Sequence, residues 1–389
     1  MPNWTRFLML LMLCTTRSLA QIQLLNDEFS DSNTVYNWLN INDEEGWNIT
    51  QLESYNINDS TAGHLFIRPL TESWFNEYRG AYLFKYIHGD FVLSTEVTAV
   101  ARSGDGLPGS DFSLAGIMIR TPIDYPSRDP LNEWMPNQQN YIFMSIGQAT
   151  SPGYDFEIKN TCNSSSCLDI VSIDTSTAEI RIARRGNEII ILSRLPGETW
   201  EVRNRYDRSG PQCLQNMNNC NAPFPDTIQI GFVVYTDWPK VNSYSTGFHN
   251  THTLHPDSLG EPDPSIGVPF NPDIVADFDY ARFDSLTIPD SLFAFNLTDP
   301  TSVSEQELLG FLGYDSQVYC PQLFQIVDPL STVYQHARAS QVIIAENLIF
   351  NAAKVFYHAG NAVHLNPGFE VSLGSVFEIR MDGCGGNDP

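Results

Sequence analysis

The stretch "IRIARRGNEIIILS", Ile180–Ser193, holds two apolar-rich runs separated by the pair Gly186-Asn187. A two-residue Gly-Asn loop supplies the left-handed backbone that joins antiparallel strands, so Ile180–Arg184 and Glu188–Ser193 read as a hairpin. Similar short runs extend in both directions, punctuated by Gly, Pro, Asn and Asp. Upstream they are His64–Arg68, Ala81–Tyr86, Phe91–Ala99, Ala115–Arg120, Tyr141–Gly147 and Tyr154–Lys159; downstream they are Thr227–Tyr235 and Ala276–Leu286. No amphipathic helix interrupts residues 21–288. Many short strands separated by turn signals predict an all-β sandwich or barrel.

Residues 289–318 read as a linker. Within it Ser304 stands three before Glu307, a capping-box spacing, and predicts one short helix, Ser304 to Leu312, packed between the domains. From residue 319 to 384 the grain changes. Val342–Ile344, Leu348–Phe350, Val355–Tyr357, Val363–Leu365, Phe369–Val371 and Val376–Ile379 are brief strands with Asn or Gly turns between them. Such a pattern predicts a small module of stacked rungs, which bury a thin core only by piling on one another.

Arg6, the apolar run Phe7–Leu13 and Ser18-Leu19-Ala20 have the parts of a cleavable export signal over residues 1–20. Seven apolar residues fall short of the about 20 a membrane span needs, and no later run approaches that length. The chain is therefore expected outside the cytoplasm: extracellular, at the cell surface or in the periplasm. Cys14 lies in the signal. The remaining cysteines form three tidy pairs, and an even set in an exported chain reads as disulfides. The expected bonds are Cys162–Cys167, Cys213–Cys220 and Cys320–Cys384, the last closing a long loop worth ~4 kcal/mol in the chain-entropy model. Residues 385–389 are a tail. The net charge of −25 argues against nucleic acid and anionic lipid as partners.

Two resemblances follow from particular motifs. "NDEFSD" (Asn26–Asp31), "HGDFVLSTEV" (His88–Val97), "LAGIMIR" (Leu114–Arg120), "NYIFMSIG" (Asn140–Gly147) and "FDYARFDSL" (Phe278–Leu286) occur in an order and spacing that resemble the concanavalin A-like lectin/glucanase superfamily. The likeness covers residues 21–288, is nearest to accessory modules of glycoside hydrolases, and implies a jelly-roll β-sandwich. "HAGNAVHLNPGFEVSLGSVFEIRMDGC" (His358–Cys384) resembles the three-coathanger stack module of secreted bacterial proteins. Such modules usually precede an outer-membrane secretion tag; none is expected after Pro389, which leaves the secretion route open.

Laminarinase-type hydrolases carry catalytic carboxylates on alternate residues of one strand, since retaining chemistry needs them about 5–5.5 Å apart. That pattern is not found; Glu198 and Glu201 have the wrong spacing, and Asp277 and Asp279 lie on the closing strand. Polysaccharide lyases of the superfamily need a group to neutralise a uronate and a base to take its proton. Arg120, Tyr141, Gln148 and Glu157 are candidates if they converge on the concave face; the bland alternative is cross-strand pairing of Arg120 with Glu157. His249, His252 and His255 could ligate a transition metal on a helical turn, but Thr251, Thr253 and Pro256 favour a polar surface loop. The laminarinase likeness also implies a structural calcium ion where first and last strands meet, held by Glu28 and Asp279. For sugar stacking, Trp74, Tyr78, Trp134 and Trp238 are large aromatics in polar segments. Two readings emerge: a secreted carbohydrate-binding or surface polysaccharide-recognition protein without double-carboxylate chemistry, or a secreted polysaccharide lyase or atypical glycoside hydrolase.

Overall fold

The computed structural model describes residues 22–124, 136–150, 152–209, 222–259, 267–331 and 333–384, and these form an all-β protein. The predicted export signal, Trp134, Cys213, Cys220 and the tail lie outside the described residues. The N-terminal strands are β1 (Leu39–Asn40), β2 (Leu52–Ile57), β3 (Leu65–Pro69), β4 (Tyr82–His88) and β5 (Phe91–Val100). They continue as β6 (Ser113–Arg120), β7 (Tyr141–Gln148), β8 (Tyr154–Cys162), β9 (Ser165–Ile173) and β10 (Thr177–Arg185). The set closes with β11 (Glu188–Arg194), β12 (Glu201–Asp207), β13 (Thr227–Tyr235), β14 (Val275–Phe278) and β15 (Arg282–Asp284).

One antiparallel sheet has the order β1-β4-β13-β6-β7-β8-β9; the other runs β12-β11-β10-β5-β14-β3-β2, with β15 beside β5. The predicted hairpin is present, with Ile180 opposite Ser193 and Arg185 opposite Glu188. Gly186 has φ +56°, the left-handed backbone required at the first central position of so tight a loop. Side-chain parity builds the interior: Ile117, Ile119, Ile142, Met144 and Ile230 from one sheet meet Leu93, Val97, Ile180, Ile182 and Ile191 from the other. Asp27 and Ala281 exchange backbone hydrogen bonds, so the first and last segments of the sandwich do meet.

Both outer faces are also covered. Short helices α1 (Ile41–Glu45), α2 (Trp238–Val241), α3 (Thr246–Thr251) and α4 (Pro256–Leu259) belong to the polar segments of the sandwich. Ile41 and Trp74 pack on the outer face of the seven-stranded sheet against Tyr82, Phe84, Met118, Tyr141 and Tyr235. Over the eight-stranded sheet lies the connector with α5 (Glu305–Leu312), whose Leu308 and Leu312 pack with Val92, Ile190, Leu192 and Trp200. The expected capping box is complete: Glu307 N–H donates to Ser304 Oγ, and Glu307 accepts from Ser304 N–H. The helix roofs the sandwich rather than lying between domains. This second layer explains why Ile189–Leu192 is a continuous apolar run, as expected for a strand buried on both faces.

The C-terminal strands are β16 (Leu323–Ile326), β17 (Tyr334–Ala339), β18 (Val342–Ala345), β19 (Leu348–Ile349), β20 (Lys354–Ala359), β21 (Ala362–Leu365), β22 (Glu370–Val371) and β23 (Val376–Arg380). They stack in parallel as β16-β18-β21, β17-β20-β23 and β19-β22. Val342 lies over Ala362 and Tyr334 over Lys354, so a rung advances by 20 residues at these positions. Phe324, Ile343, Val355 and Tyr357 fill its narrow core. Cys320 and Cys384 are bonded across the module, as expected.

Candidate functional site

Strand parity does place Arg120, Tyr141 and Glu157 on the outer face of the seven-stranded sheet, yet that face is closed. Arg120 has no exposed surface; its Nη1 donates to Glu45 at 2.7 Å and to Gln229 at 2.8 Å. Arg79, equally buried, donates to the other oxygen of Glu45 at 2.8 Å and to Asn42. Glu157 pairs with Lys159 at 2.7 Å and accepts from the Tyr235 hydroxyl at 2.6 Å. Tyr141 lies opposite Arg120 in the ladder, and burial pushes its phenol far above the ordinary tyrosine range, the wrong direction for a base. Gln148 ends the same strand that Tyr141 begins, so it lies roughly 20 Å away along β7. The four candidates for lyase chemistry therefore do not converge on an open cleft. The expected Arg120–Glu157 pairing is also replaced, Arg120 meeting Glu45 and Glu157 meeting Lys159.

Trp74 is the closing side chain. It is fully buried, its Nε1 donates to the Ala81 carbonyl at 3.0 Å, and its ring packs edge-on against Tyr141. It is a lid over the sheet, which corrects its expected role as a sugar platform. Tyr78 and Trp238 are half-buried and come together with ring centroids 5.5 Å apart, while Phe75 lies 5.4 Å from Trp238. Separate segments thus build one aromatic cluster beside Asn76 and Glu77.

The histidine run is not a solvated loop. His249 is buried on α3; Ser73 N–H donates to its Nε2 at 3.3 Å, and Nδ1 faces Asn250 Oδ1 at 2.8 Å. Burial lowers its pKa to about 4. His252 stacks on Phe248, and His255 lies 3.7 Å from Asp257. Among the described residues no group of three His, Cys, Asp or Glu side chains gathers as a metal site.

Calcium takes 6–8 oxygens, typically including several carboxylates. Glu28 is engaged by Arg282, with Nη2 to Oε2 at 2.7 Å and Nε to Oε1 at 2.9 Å. Asp279 faces His64 at 3.6 Å. Asp27 turns inward and accepts from Phe29 N–H, the Thr34 hydroxyl and Trp38 Nε1. The residues at this junction do not fit the expected calcium set.

The sequence reading missed an open groove of about 370 Å³ lined by Val35, Tyr36, Leu39, Asn40, Asp43, Glu44 and Tyr55 among others. Tyr36 is 66% exposed. The Tyr86 hydroxyl donates to Glu44 at 3.1 Å at its margin. Tyr36 also stacks on Tyr334 of the C-terminal module, with centroids 6.2 Å apart. The signal was present in "VYNWLNINDEE", Val35–Glu45, where phenol, amides and carboxylates alternate with apolar residues.

No family model matches the chain, and no curated protein sequence does. Among solved structures, the chain is similar to a functionally unknown protein from Saccharomyces cerevisiae, at 12% identity and TM-score 0.38, covering 64% of this chain and 97% of that one. It is similar to a xylan beta-1,4-xylosidase from Bacillus halodurans C-125, at 12% identity and TM-score 0.39, covering 67% of this chain and 39% of that one. The chain thus spans about two fifths of the xylosidase's length. A basic winged bean lectin with Tn-antigen is similar at 10% identity and TM-score 0.34, covering 60% and 91% of the two chains.

Proposed function

We propose that this is a secreted carbohydrate-recognition protein that contacts saccharide through aromatic surfaces rather than through the closed sheet face. The observation that carries the reading is the Tyr36 groove: an exposed planar ring beside Tyr55, with Asn40, Asp43 and Glu44 as hydrogen-bonding groups. Aromatic faces bury the apolar face of a pyranose, while amides and carboxylates accept from its hydroxyls. Two acids in the groove oppose an anionic uronate, so neutral polysaccharides are the preferred class. The Tyr78–Trp238 cluster is a second contact surface, and Trp134 belongs to the same aromatic set read from the sequence. Double-carboxylate hydrolysis has no part in this reading.

Affinity electrophoresis across neutral and uronate-containing polysaccharides tests it. The wild-type protein should be retarded by at least one neutral glycan. Tyr36→Ala should weaken that retention by about 1–3 kcal/mol, the scale of one lost aromatic platform. Absence of retardation by every glycan in the panel removes the proposal.

A further inference from the structure

Asp31 caps the short helical turn Ser32–Asn37 of the sandwich, accepting from Asn33 N–H with Oδ1. Its second oxygen faces His336 Nε2 at 3.0 Å, across 305 positions of sequence. His336 Nδ1 stands 3.1 Å from His358 Nε2 on the next rung. His358 Nδ1 stands 2.9 Å from Asp382 Oδ1, close to the Cys320–Cys384 bond. These four side chains make one continuous line, carboxylate–imidazole–imidazole–carboxylate, from the sandwich through the C-terminal module. Its middle is buried: side-chain exposure is 1% for Asp31, 9% for His336 and 0% for His358.

The line can be counted in protons. Each of its three contacts needs one hydrogen between the facing atoms. Two neutral imidazoles bring two, so one contact goes without. One further proton makes a single imidazolium, completes all three hydrogen bonds and sits between two carboxylates. A fourth proton places N–H on both facing imidazole nitrogens, only 3.1 Å apart, and turns the central contact repulsive.

We infer that Asp31, His336, His358 and Asp382 form a proton-counted clasp between the two modules, closed by one shared imidazolium and opened by a second proton in mild acid.

The surroundings favour one proton over two. Asp31 and His336 border a cavity of about 70 Å³, which Asp27 and Glu28 line from the sandwich side and Arg338 from β17. From β23, Glu378 and Arg380 lie near the far end, with Arg380 over the Phe356 ring at 4.9 Å. Burial first, then Arg338, holds His358 below the ordinary histidine range against the pull of Asp382, and the charge on His336 lowers it further. A histidine depressed in the folded state contributes stability above its unfolded pKa of about 6.5, and that contribution is lost as pH falls through the lower folded value. Protons on two imidazoles in hydrogen-bond contact belong to the pair rather than to either ring.

The full-length protein tests this directly. Protease cleavage within the connector, residues 313–318, would be followed from pH 8 to pH 4.5 and normalised to an unfolded substrate at each pH. Cleavage should be several-fold faster at pH 5 than at pH 7.5. His358→Gln can donate and accept but cannot take the second proton, so its profile should be flat over that range. Should the variant fail to fold, imidazole nitrogen NMR of the wild type decides: His336 and His358 should titrate together in two separated steps. An unchanged acid response in His358→Gln, or a single step near the ordinary value for both rings, overturns the clasp.

Discussion

Glu45 and Arg120 meet at 2.7 Å in a site sealed from solvent, and Arg79 takes the other oxygen of the same carboxylate. One buried carboxylate thus serves two guanidiniums, whose remaining N–H groups reach Asn42, Gln51, Gln139 and Gln229. A pair of this kind contributes little net stability when compared with apolar residues, but breaking it strands the surviving charges. Glu45→Ala should therefore cost ~3–5 kcal/mol in denaturant unfolding. Burial pushes the Glu45 carboxyl up, yet Arg120 and Arg79 together outweigh it and hold the group below the ordinary glutamate range. The sign follows: its contribution is full above the unfolded pKa and is lost as pH falls through the lower folded value. A Glu45→Ala midpoint within 1 kcal/mol of wild type would show that the roof over this sheet face is dispensable.

Glu72 is the opposite case. It is fully buried, one oxygen accepts from Ala81 N–H at 3.1 Å, and burial raises its pKa well above the ordinary range, more than Ala81 and Arg79 offset. A raised carboxyl favours the fold when protonated, so its contribution fades as pH rises past the unfolded value. Glu72→Gln mimics the neutral form and should be more stable than wild type at pH 8, with the advantage shrinking towards pH 4. Gly80 explains how tightly this group is held: a Cβ there would lie 1.6 Å from the Glu72 oxygen. Gly80→Ala should cost ~1–3 kcal/mol through overpacking, and less in the Glu72→Ala background. Equal costs in both backgrounds would argue that the Gly80 requirement lies elsewhere.

Calcium offers a direct contrast with the sequence expectation. Because Arg282 already neutralises Glu28 and Asp279 faces His64, chelator should leave the melting temperature unchanged. Arg282→Ala, by contrast, should lower it, since that side chain ties Glu28 to the last strands and also reaches the Ser316 carbonyl. A reversible drop of several degrees on chelation would restore calcium to the fold.

What could be read in the sequence was what repeats locally. The hairpin at Gly186-Asn187, the capping box at Ser304 and the stacked rungs after Cys320 each depend on residues near one another, and each is present. Parity was legible in part: Arg120, Tyr141 and Glu157 share one face of their sheet, while Gln148, seven residues after Tyr141, has the opposite parity. Coverage was not. The segments that close that face carry no strand or helix period, so nothing local says that Trp74 turns inward or that Glu45 meets a guanidinium 75 positions away. The Asp31–His336 contact is further still from local pattern. Tyr36 escaped notice because its neighbours in the groove come from three elements, and its own segment reads as an ordinary turn.

The cysteines give the last prediction. Cys162 and Cys167 are both disulfide-bonded, while the one bonded pair among the described residues is Cys320–Cys384; they are therefore not bonded to each other, contrary to the expected local pairing. The ladder agrees, setting Cys162 opposite Ser165 and Cys167 opposite Asn160. Cys213 and Cys220 lie outside the described residues, but the chain that leads to them does not. Arg208 donates to the Asn160 side chain, to the Thr161 carbonyl at 3.1 Å and to Ala222 on the returning chain. Arg208 and Ala222, which flank the stretch carrying Cys213 and Cys220, thus both lie beside the strand that carries Cys162. Non-reducing peptide mapping should recover peptides from residues 154–173 linked to peptides containing Cys213 or Cys220. Two such bonds would tie the β8–β9 hairpin to a distant loop, so reducing them should destabilise the sandwich by more than a short five-residue loop closure allows. Recovery of a Cys162–Cys167 cystine, with Cys213 joined to Cys220, would instead return the pairing to adjacent cysteines.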